Sequence, residues 1–468
     1  MAAEALITDN RLISETLAEF SASLRYEDIP ETVRERAKYL LLDAVGIALL
    51  STKHEFARPA LAGLAGFGTG SSTVIGMDAR LALRDAVIMN GLLVHGLDYD
   101  DTHLEGIVHV SASCFPCAFA VASQVGASGR EFLSAYVLGI EIVARLGKAA
   151  RGRLHEAGFH PTGMLAAFSS ALIAGRLQRL DSKQLVMAQG IALSTMSSSS
   201  RQFGLEGAWT KRLHPGWGAA AGITAAGLAQ HGFIGPRETY EGKYGFYAAH
   251  LGSLASRCDL GLATAELGQT WETLEVAVKP IPACHLVHAC SDAAAAIAHK
   301  HDVKIADVAS VRALVPSDAI RVVCEPAAKR RRPATGYAAQ FSIYYAVACS
   351  LARGRFGFRE LEPDILNDPE ILALADKVEY EIDPKSGYPR HFSGEVIVKT
   401  VAGREYSHRE DINRGASDRP LSGDDIIAKF MDNATCAVSA TRAEQIRDKI
   451  LTVDACGRAS ELDAVLAC

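Results

Sequence analysis

The sequence predicts a mainly α protein, in which a large all-helical domain drawn from both ends of the chain is completed by a smaller α+β domain between them. Three observations carry this. Apolar residues recur at helical steps through roughly the first 265 positions, β-branched stretches bounded by turn residues occur only beyond position 300, and helical spacing returns after position 420. The boundaries fall at 1–269, 270–410 and 411–468, with the last segment packing back on the first.

The first well-marked helix follows Pro30, where Val33, Ala37, Leu40, Leu41 and Ala44 recur at three- and four-residue steps. Proline suits a first turn, because the amide it lacks has no helical partner there. Further helices are expected near 82–97, 112–127, 129–148, 163–177, 181–196 and 217–230, each set off by Gly, Ser or Pro. Small residues within them, as in Gly216-Trp-Gly-Ala-Ala-Ala-Gly222, predict close helix contacts. In the middle segment Val308–Val315 and Val378–Ile382 read as strands, and Gly394–Thr400 with Arg404–His408 as a hairpin. Ala338–Leu351 and Pro369–Lys377 read as helices between them, and Asp424–Met431 and Thr441–Leu451 as the returning helices.

Composition narrows function before any motif does. The chain has 54 acidic against 48 basic side chains, a formal charge of −6, with 49% hydrophobic and 22% charged residues. That excludes a strongly basic nucleic-acid binder and a disordered chain. Ten cysteines lie scattered without disulfide spacing, and no apolar run approaches the roughly 18 residues of a membrane span. The opening Met1-Ala-Ala-Glu-Ala carries an acid where an export signal carries a base. A cytoplasmic protein with reduced thiols, bound to neither nucleic acid nor membrane, is expected.

The densest polar cluster is His95-Gly-Leu-Asp98-Tyr-Asp100-Asp101-Thr102-His103, with Glu105 and His109 just beyond it, at the end of an apolar helix. Burying such groups costs solvation unless they serve one another, a ligand or a metal. Capping of the helix end by mutually satisfied groups is the structural explanation. Three chemical ones compete with it. Mg²⁺-diphosphate binding suits hard carboxylate oxygens but lacks a second acidic motif. A transition-metal centre would need a spacing that fits no zinc pattern. Acid/base work on a small substrate needs no metal.

Gly158-Phe-His160-Pro-Thr-Gly163 sets an imidazole before a helix N-terminus, where free amides favour an anion; a capping histidine is the plain alternative. Lys211, in Trp209-Thr-Lys-Arg-Leu-His-Pro-Gly216, offers a cation for a second carboxylate, although Lys-Arg pairs are commonly solvated. Lys279-Pro-Ile-Pro-Ala-Cys284-His-Leu-Val-His288 uses two prolines to direct a helix that carries His288. Cys284 reads as structural, and Cys114-Phe-Pro-Cys117 lacks the further thiols of an iron–sulfur centre. Gly66-Phe-Gly-Thr-Gly70 lacks the context of a dinucleotide fingerprint, and Lys329-Arg-Arg-Arg332 reads as a solvated loop.

Taken in order, Leu41-Leu-Asp-Ala-Val-Gly46, Asn90-Gly-Leu-Leu-Val-His-Gly-Leu-Asp-Tyr-Asp-Asp-Thr102, Gly158-Phe-His-Pro-Thr-Gly163, Thr210-Lys211, Lys279-Pro-Ile-Pro-Ala-Cys284 with His288, and Ala339-Gln-Phe-Ser342 resemble the MmgE/PrpD family over nearly the whole chain. The resemblance implies that the α+β domain is a lid and that the active site lies in the cleft beneath it. It also implies an enzyme needing neither metal nor cofactor, usually homodimeric, acting on a small di- or tricarboxylate. A hydro-lyase of the 2-methylcitrate dehydratase type is the first reading it gives. Decarboxylation of the cis-aconitate type or epimerisation of the iminodisuccinate type is the alternative, and a non-catalytic binder of acidic metabolites the distant one.

On the same resemblance the site positions are Asp98, Thr102, His109, His160, Lys211 and His288, with His103 a rival to His109. His109 and His160 form the acid/base pair, and Asp98 orients an imidazole. Lys211, Thr102 and His103 hold substrate, and His288 arrives with the lid.

Overall fold

The computed structural model describes residues 11–301 and 303–467; the opening stretch in which an export signal was sought lies outside them. Helices dominate and strands are confined to small sheets, the mainly α class that the sequence predicts.

In the first half the chain forms α1 (Glu31–Ser51), α2 (Leu83–His95), a short β1 (Thr102–His103), α3 (Ser111–Val125), α4 (Gly129–Ala149), α5 (Pro161–Leu177), α6 (Ser182–Thr195) and α7 (Thr210–Gln230). Local chemistry sets several of these ends. Ser128 and Asp181 each accept the amide of the residue three positions on, while Glu131 and Gln184 reach back to the cap amides. Their apolar faces meet in one core that buries Leu41, Val45, Phe115, Phe132, Leu138 and Phe168.

Helix α7 packs on α5 and α2 at distances that only glycine permits. A Cβ at Gly216 would lie 2.5 Å from the Ile88 carbonyl oxygen, and one at Gly218 would lie 2.3 Å from that of Gly163. The helix also begins at Thr210 rather than near 217. Pro215 removes the bond its amide would give to the Lys211 carbonyl, yet the close packing just after it carries the helix through. Lys211 therefore stands in a first helical turn, aimed past the end of α2.

The chain crosses to the second core through β2 (Val276–Ala277), which pairs antiparallel with β1. Then follow α8 (His285–His301), β3 (Val308–Val315), α9 (Ile343–Arg353), β4 (Val378–Ile382), β5 (Gly394–Thr400) and β6 (Glu405–Glu410). Sheet order is β4-β3-β5-β6, parallel between β3 and β4 and antiparallel elsewhere. Val311, Ala313, Val396 and Val398 alternate inward onto α8 and α9, as a half-buried sheet requires. The helix expected over 338–351 is broken in two, because Ser342 accepts the Tyr345 amide and caps a fresh helix.

The chain then returns. Helices α10 (Gly423–Ala434) and α11 (Ala440–Leu451) lie on α1, with Phe430 packed against Gly46. Burying such a ring stabilises the fold by about 1.5–3 kcal/mol. Lys429 of α10 reaches Asp43 at 2.6 Å and the Tyr99 carbonyl at 3.0 Å, so the last helices clamp the acidic loop after α2. No described helix is long and apolar enough to cross a membrane.

Candidate active site

Helix α2 ends at His95-Gly96, and the chain turns through Asp98 with a φ of 51°, a left-handed conformation that a short polar side chain tolerates. This turn buries Asp98, Asp100 and Asp101 together. Asp101 serves the scaffold. It accepts the Ser111 amide at 3.1 Å and the Ser111 hydroxyl, capping α3, and burial pushes its carboxyl up to about 7 against those bonds.

Asp98 is the meeting point of two lysines from separate stretches of the chain. Lys211 of α7 approaches its Oδ1 to 2.5 Å, and Lys279 reaches the same oxygen at 3.2 Å and the Asp98 carbonyl at 2.6 Å. Burial alone would raise this carboxyl, but the two ammonium groups outweigh it and hold Asp98 well below the usual range. Asp100 Oδ2 lies 2.8 Å from His95 Nδ1 and 3.3 Å from His109 Nδ1. Against the cost of burial, those imidazoles keep Asp100 ionised. His109 Nδ1 also lies 3.0 Å from the Asp101 carbonyl and 3.4 Å from Thr102 Oγ1.

His160 occupies the cap position of α5, with Pro161 fixing the first turn. Its Nδ1 lies 3.1 Å from His214 Nδ1, while its Nε2 is buried without a partner. Burial lowers the pKa of His160, and takes both His95 and His214 down to about 4. Burial thus favours the neutral form of all three rings.

The groups share a cavity of about 520 Å³. Asp98, Thr102, His109, His160 and Lys211 wall one side, and Lys279, His285, Arg321, Arg330 and Phe341 the other. An adjoining cavity of about 700 Å³ shares Arg201, Arg321, His155 and Tyr388 with it and adds Lys148, Arg151, Arg153 and Arg257. Glu105, Glu156 and Asp318 in the same lining offset part of this charge, and the basic excess that is left favours anions ahead of binding. Ammonium groups that hold carboxylates, beside imidazoles that move protons, suit polar chemistry on a small acid. The cluster also has two donor sets of the kind that hold a divalent metal: His95 with His109 and His160, and Asp98 with Asp100 and His109.

Two of the expected site histidines lie elsewhere. His103 points away from the cavity, its Nε2 2.9 Å from Glu272 Oε2 and its Nδ1 accepting the Gly106 amide at 3.0 Å. Successive side chains leave opposite faces of a strand, so β1 cannot send both Thr102 and His103 the same way. His288 lies deeper in α8, with Nε2 3.0 Å from the Ala283 carbonyl and burial taking it down to about 3. The imidazole of α8 that reaches the cavity is His285, and neither of its ring nitrogens has a partner. Lys279, His95, Asp100 and His214 also belong to the cluster. Lys279 carried a signal in its place before Pro-Ile-Pro, where a solvated lysine has little reason to be.

Residues 15–257 match the MmgE/PrpD N-terminal domain, and residues 281–455 the MmgE/PrpD C-terminal domain. Similar proteins include the human cis-aconitate decarboxylase, 28% identical over 93% of this chain and 90% of its own. The cis-aconitate decarboxylase of Aspergillus terreus is 26% identical over 94% of this chain and 93% of its own. A cis-aconitate decarboxylase-like protein of Aspergillus oryzae, oryM, is 25% identical over 97% of each chain.

Proposed function

The chain belongs to the MmgE/PrpD family, and from that premise we propose that it is a lyase that decarboxylates a small unsaturated tricarboxylate of the cis-aconitate type. The relatives carry the decarboxylase name, which supports this reading over the hydro-lyase that the sequence resemblance implied first. The observation that carries it is the pairing, in one cavity, of two buried ammonium groups on Asp98 with the unpartnered imidazole nitrogen of His160.

Cis-aconitate bears a carboxylate on each alkene carbon and a third on the methylene. Loss of CO₂ from the methylene carboxylate breaks that C–C bond and leaves its electron pair on the methylene carbon. The pair forms a new double bond to the central carbon as the old π pair moves to the far alkene carbon. Charge there spreads into the attached carboxylate as an enolate, and one proton on that carbon completes the product. The site must therefore hold two carboxylates against accumulating charge and place one acid beside the far carbon.

Lys211, Lys279 and the Thr102 hydroxyl are assigned to the carboxylates that remain. His160 and His109 are assigned to the proton, with Asp100 and the Asp101 carbonyl fixing the His109 ring. An arriving polyanion favours the charged form of a neighbouring imidazole, so substrate binding itself loads the proton onto a ring that burial keeps neutral beforehand. Segment 270–410 acts as the lid, bringing Lys279 and His285 over the substrate and excluding water. A cytoplasmic homodimer, checked by fractionation and light scattering, goes with this reading.

Mass spectrometry of separate incubations with cis-aconitate, 2-methylcitrate and iminodisuccinate tests it. Equal yields of CO₂ and a dicarboxylate one carbon shorter are expected from cis-aconitate alone. Water loss from 2-methylcitrate with cis-aconitate untouched would overturn the assignment.

A further inference from the structure

We propose that His95, His109 and His160 form a binding site for Zn²⁺ at the wall of the cavity that His109 and His160 line, and that bound zinc inhibits the enzyme. One ring nitrogen from each histidine lies within 4.8 Å of one from each of the others. The ring centres of His109 and His160 lie 4.6 and 5.4 Å from that of His95.

What distinguishes the trio is how its other nitrogens are used. His95 Nδ1 lies 2.8 Å from Asp100, His109 Nδ1 lies 3.0 Å from the Asp101 carbonyl, and His160 Nδ1 lies 3.1 Å from His214. An outer partner on one nitrogen fixes the ring and leaves the other free to ligate, the arrangement found around metal-bound imidazoles. The Nε2 atoms of His95 and His160 are buried with no partner at all. Asp98, whose Oδ1 lies 3.9 Å from His109 Nε2, belongs with Asp100 and His109 to the second donor set.

Tetrahedral zinc with Zn–N bonds of about 2.0–2.1 Å needs donors about 3.3 Å apart. Small rotations of three imidazoles close the difference. Three nitrogen donors select a borderline ion such as zinc over Mg²⁺ or Ca²⁺, which prefer all-oxygen shells. The ligands come from the end of α2, the loop before α3 and the cap of α5, so no local spacing announces them. Zinc held there would occupy the imidazoles to which proton delivery is assigned. Inhibition therefore rests on the proposed function, whereas binding does not.

The test titrates chelator-treated full-length protein with Zn²⁺ alone and with Co²⁺ alone, by calorimetry and visible absorption. One ion per chain is expected, with the d–d bands of low-coordinate Co²⁺ and no thiolate-to-metal charge transfer. His95→Gln is expected to weaken binding at least about tenfold. Should that variant fail to fold, the wild-type Co²⁺ spectrum still decides. A thiolate band, which would place the ion on a cysteine such as Cys284, overturns the site, as does the lack of stoichiometric binding. In assays with cis-aconitate, Zn²⁺ is expected to lower kcat in proportion to its occupancy. Stoichiometric binding with kcat unchanged overturns the inhibitory role, and stoichiometric binding by a chain that releases no CO₂ supports the site while it counts against the proposed reaction.

Discussion

Two buried polar clusters lie close together in this molecule, built from the same residue types and put to different use. In one, His103, Glu272, Glu141 and Arg145 saturate each other. His103 uses both ring nitrogens, Glu141 takes the amides of Glu272 and Thr273 at 3.0 and 2.8 Å, and Arg145 spends its guanidinium on the Ala265 and Thr270 carbonyls. In the other, Asp98 Oδ2, Asp100 Oδ1, Nε2 of both His95 and His160, and both nitrogens of His285 have no partner. A buried polar atom without a partner costs about 1–3 kcal/mol, so these atoms, with Asp98, His160 and His285 lining the cavity, mark the cluster that a polar ligand would relieve. Residue type and burial do not distinguish these two clusters, but hydrogen-bond saturation does.

Substitutions sharpen that contrast, beginning with the ammonium pair. Lys211→Met is expected to lower kcat/KM by about 10³-fold or more, because a fixed charge facing the accumulating negative charge is lost. Lys279 still pairs with Asp98, so thermal stability should fall far less than activity. Steady-state kinetics beside a melting curve checks both. His160→Gln removes an acid and keeps the shape; a loss of about 10²–10⁴-fold in kcat is expected, with KM changing little. In the saturated cluster the signs reverse. His103→Gln should cost about 1–3 kcal/mol in denaturant unfolding with kcat unchanged. A rate loss in that variant without a stability loss would break the distinction.

The contrast also shows in the pH dependence. Burial takes His95 and His214 down to about 4, and His155 and His288 down to about 3, from an ordinary value of 6.5. A group depressed in the folded state contributes stability above its unfolded pKa and loses it as pH falls through the folded one. Stability should therefore decline as pH drops from about 6.5 toward 3–4, with proton uptake on unfolding. Glu272, opposed by burial but held down to about 2 by His103 and Lys148, should lose its own contribution only as pH falls from 4.5 toward 2. Calorimetric melting across this range tests whether the buried imidazoles fail before Glu272 does.

Much of the fold was legible in sequence because one-dimensional spacing sets it. Helical periodicity marked α1 to α6, and alternation marked the β5-β6 hairpin across its Ala-Gly turn. What escaped depends on a single side chain or on packing, as where Ser342 splits one expected helix and where glycine contacts carry α7 through Pro215. The same division runs through the cavity. Asp98, Thr102, His109, His160 and Lys211 stood in recognisable fragments, and the fold gathers them. The choice between His103 and His109 turned on a two-residue strand, β1, that exists only by pairing with β2 far along the chain. His285 rather than His288 faces the cavity because of where α8 begins after its two prolines, which no periodicity marks.

Solvent deuterium tests CO₂ loss with proton delivery in this cavity most directly. Turnover of cis-aconitate in D₂O should give product carrying a single deuterium, on the former alkene carbon beside its carboxylate, with wild-type rates collapsing in Lys211→Met and His160→Gln but not in His103→Gln. Deuterium in recovered substrate without CO₂ release, or equal rates in all four proteins, would contradict it.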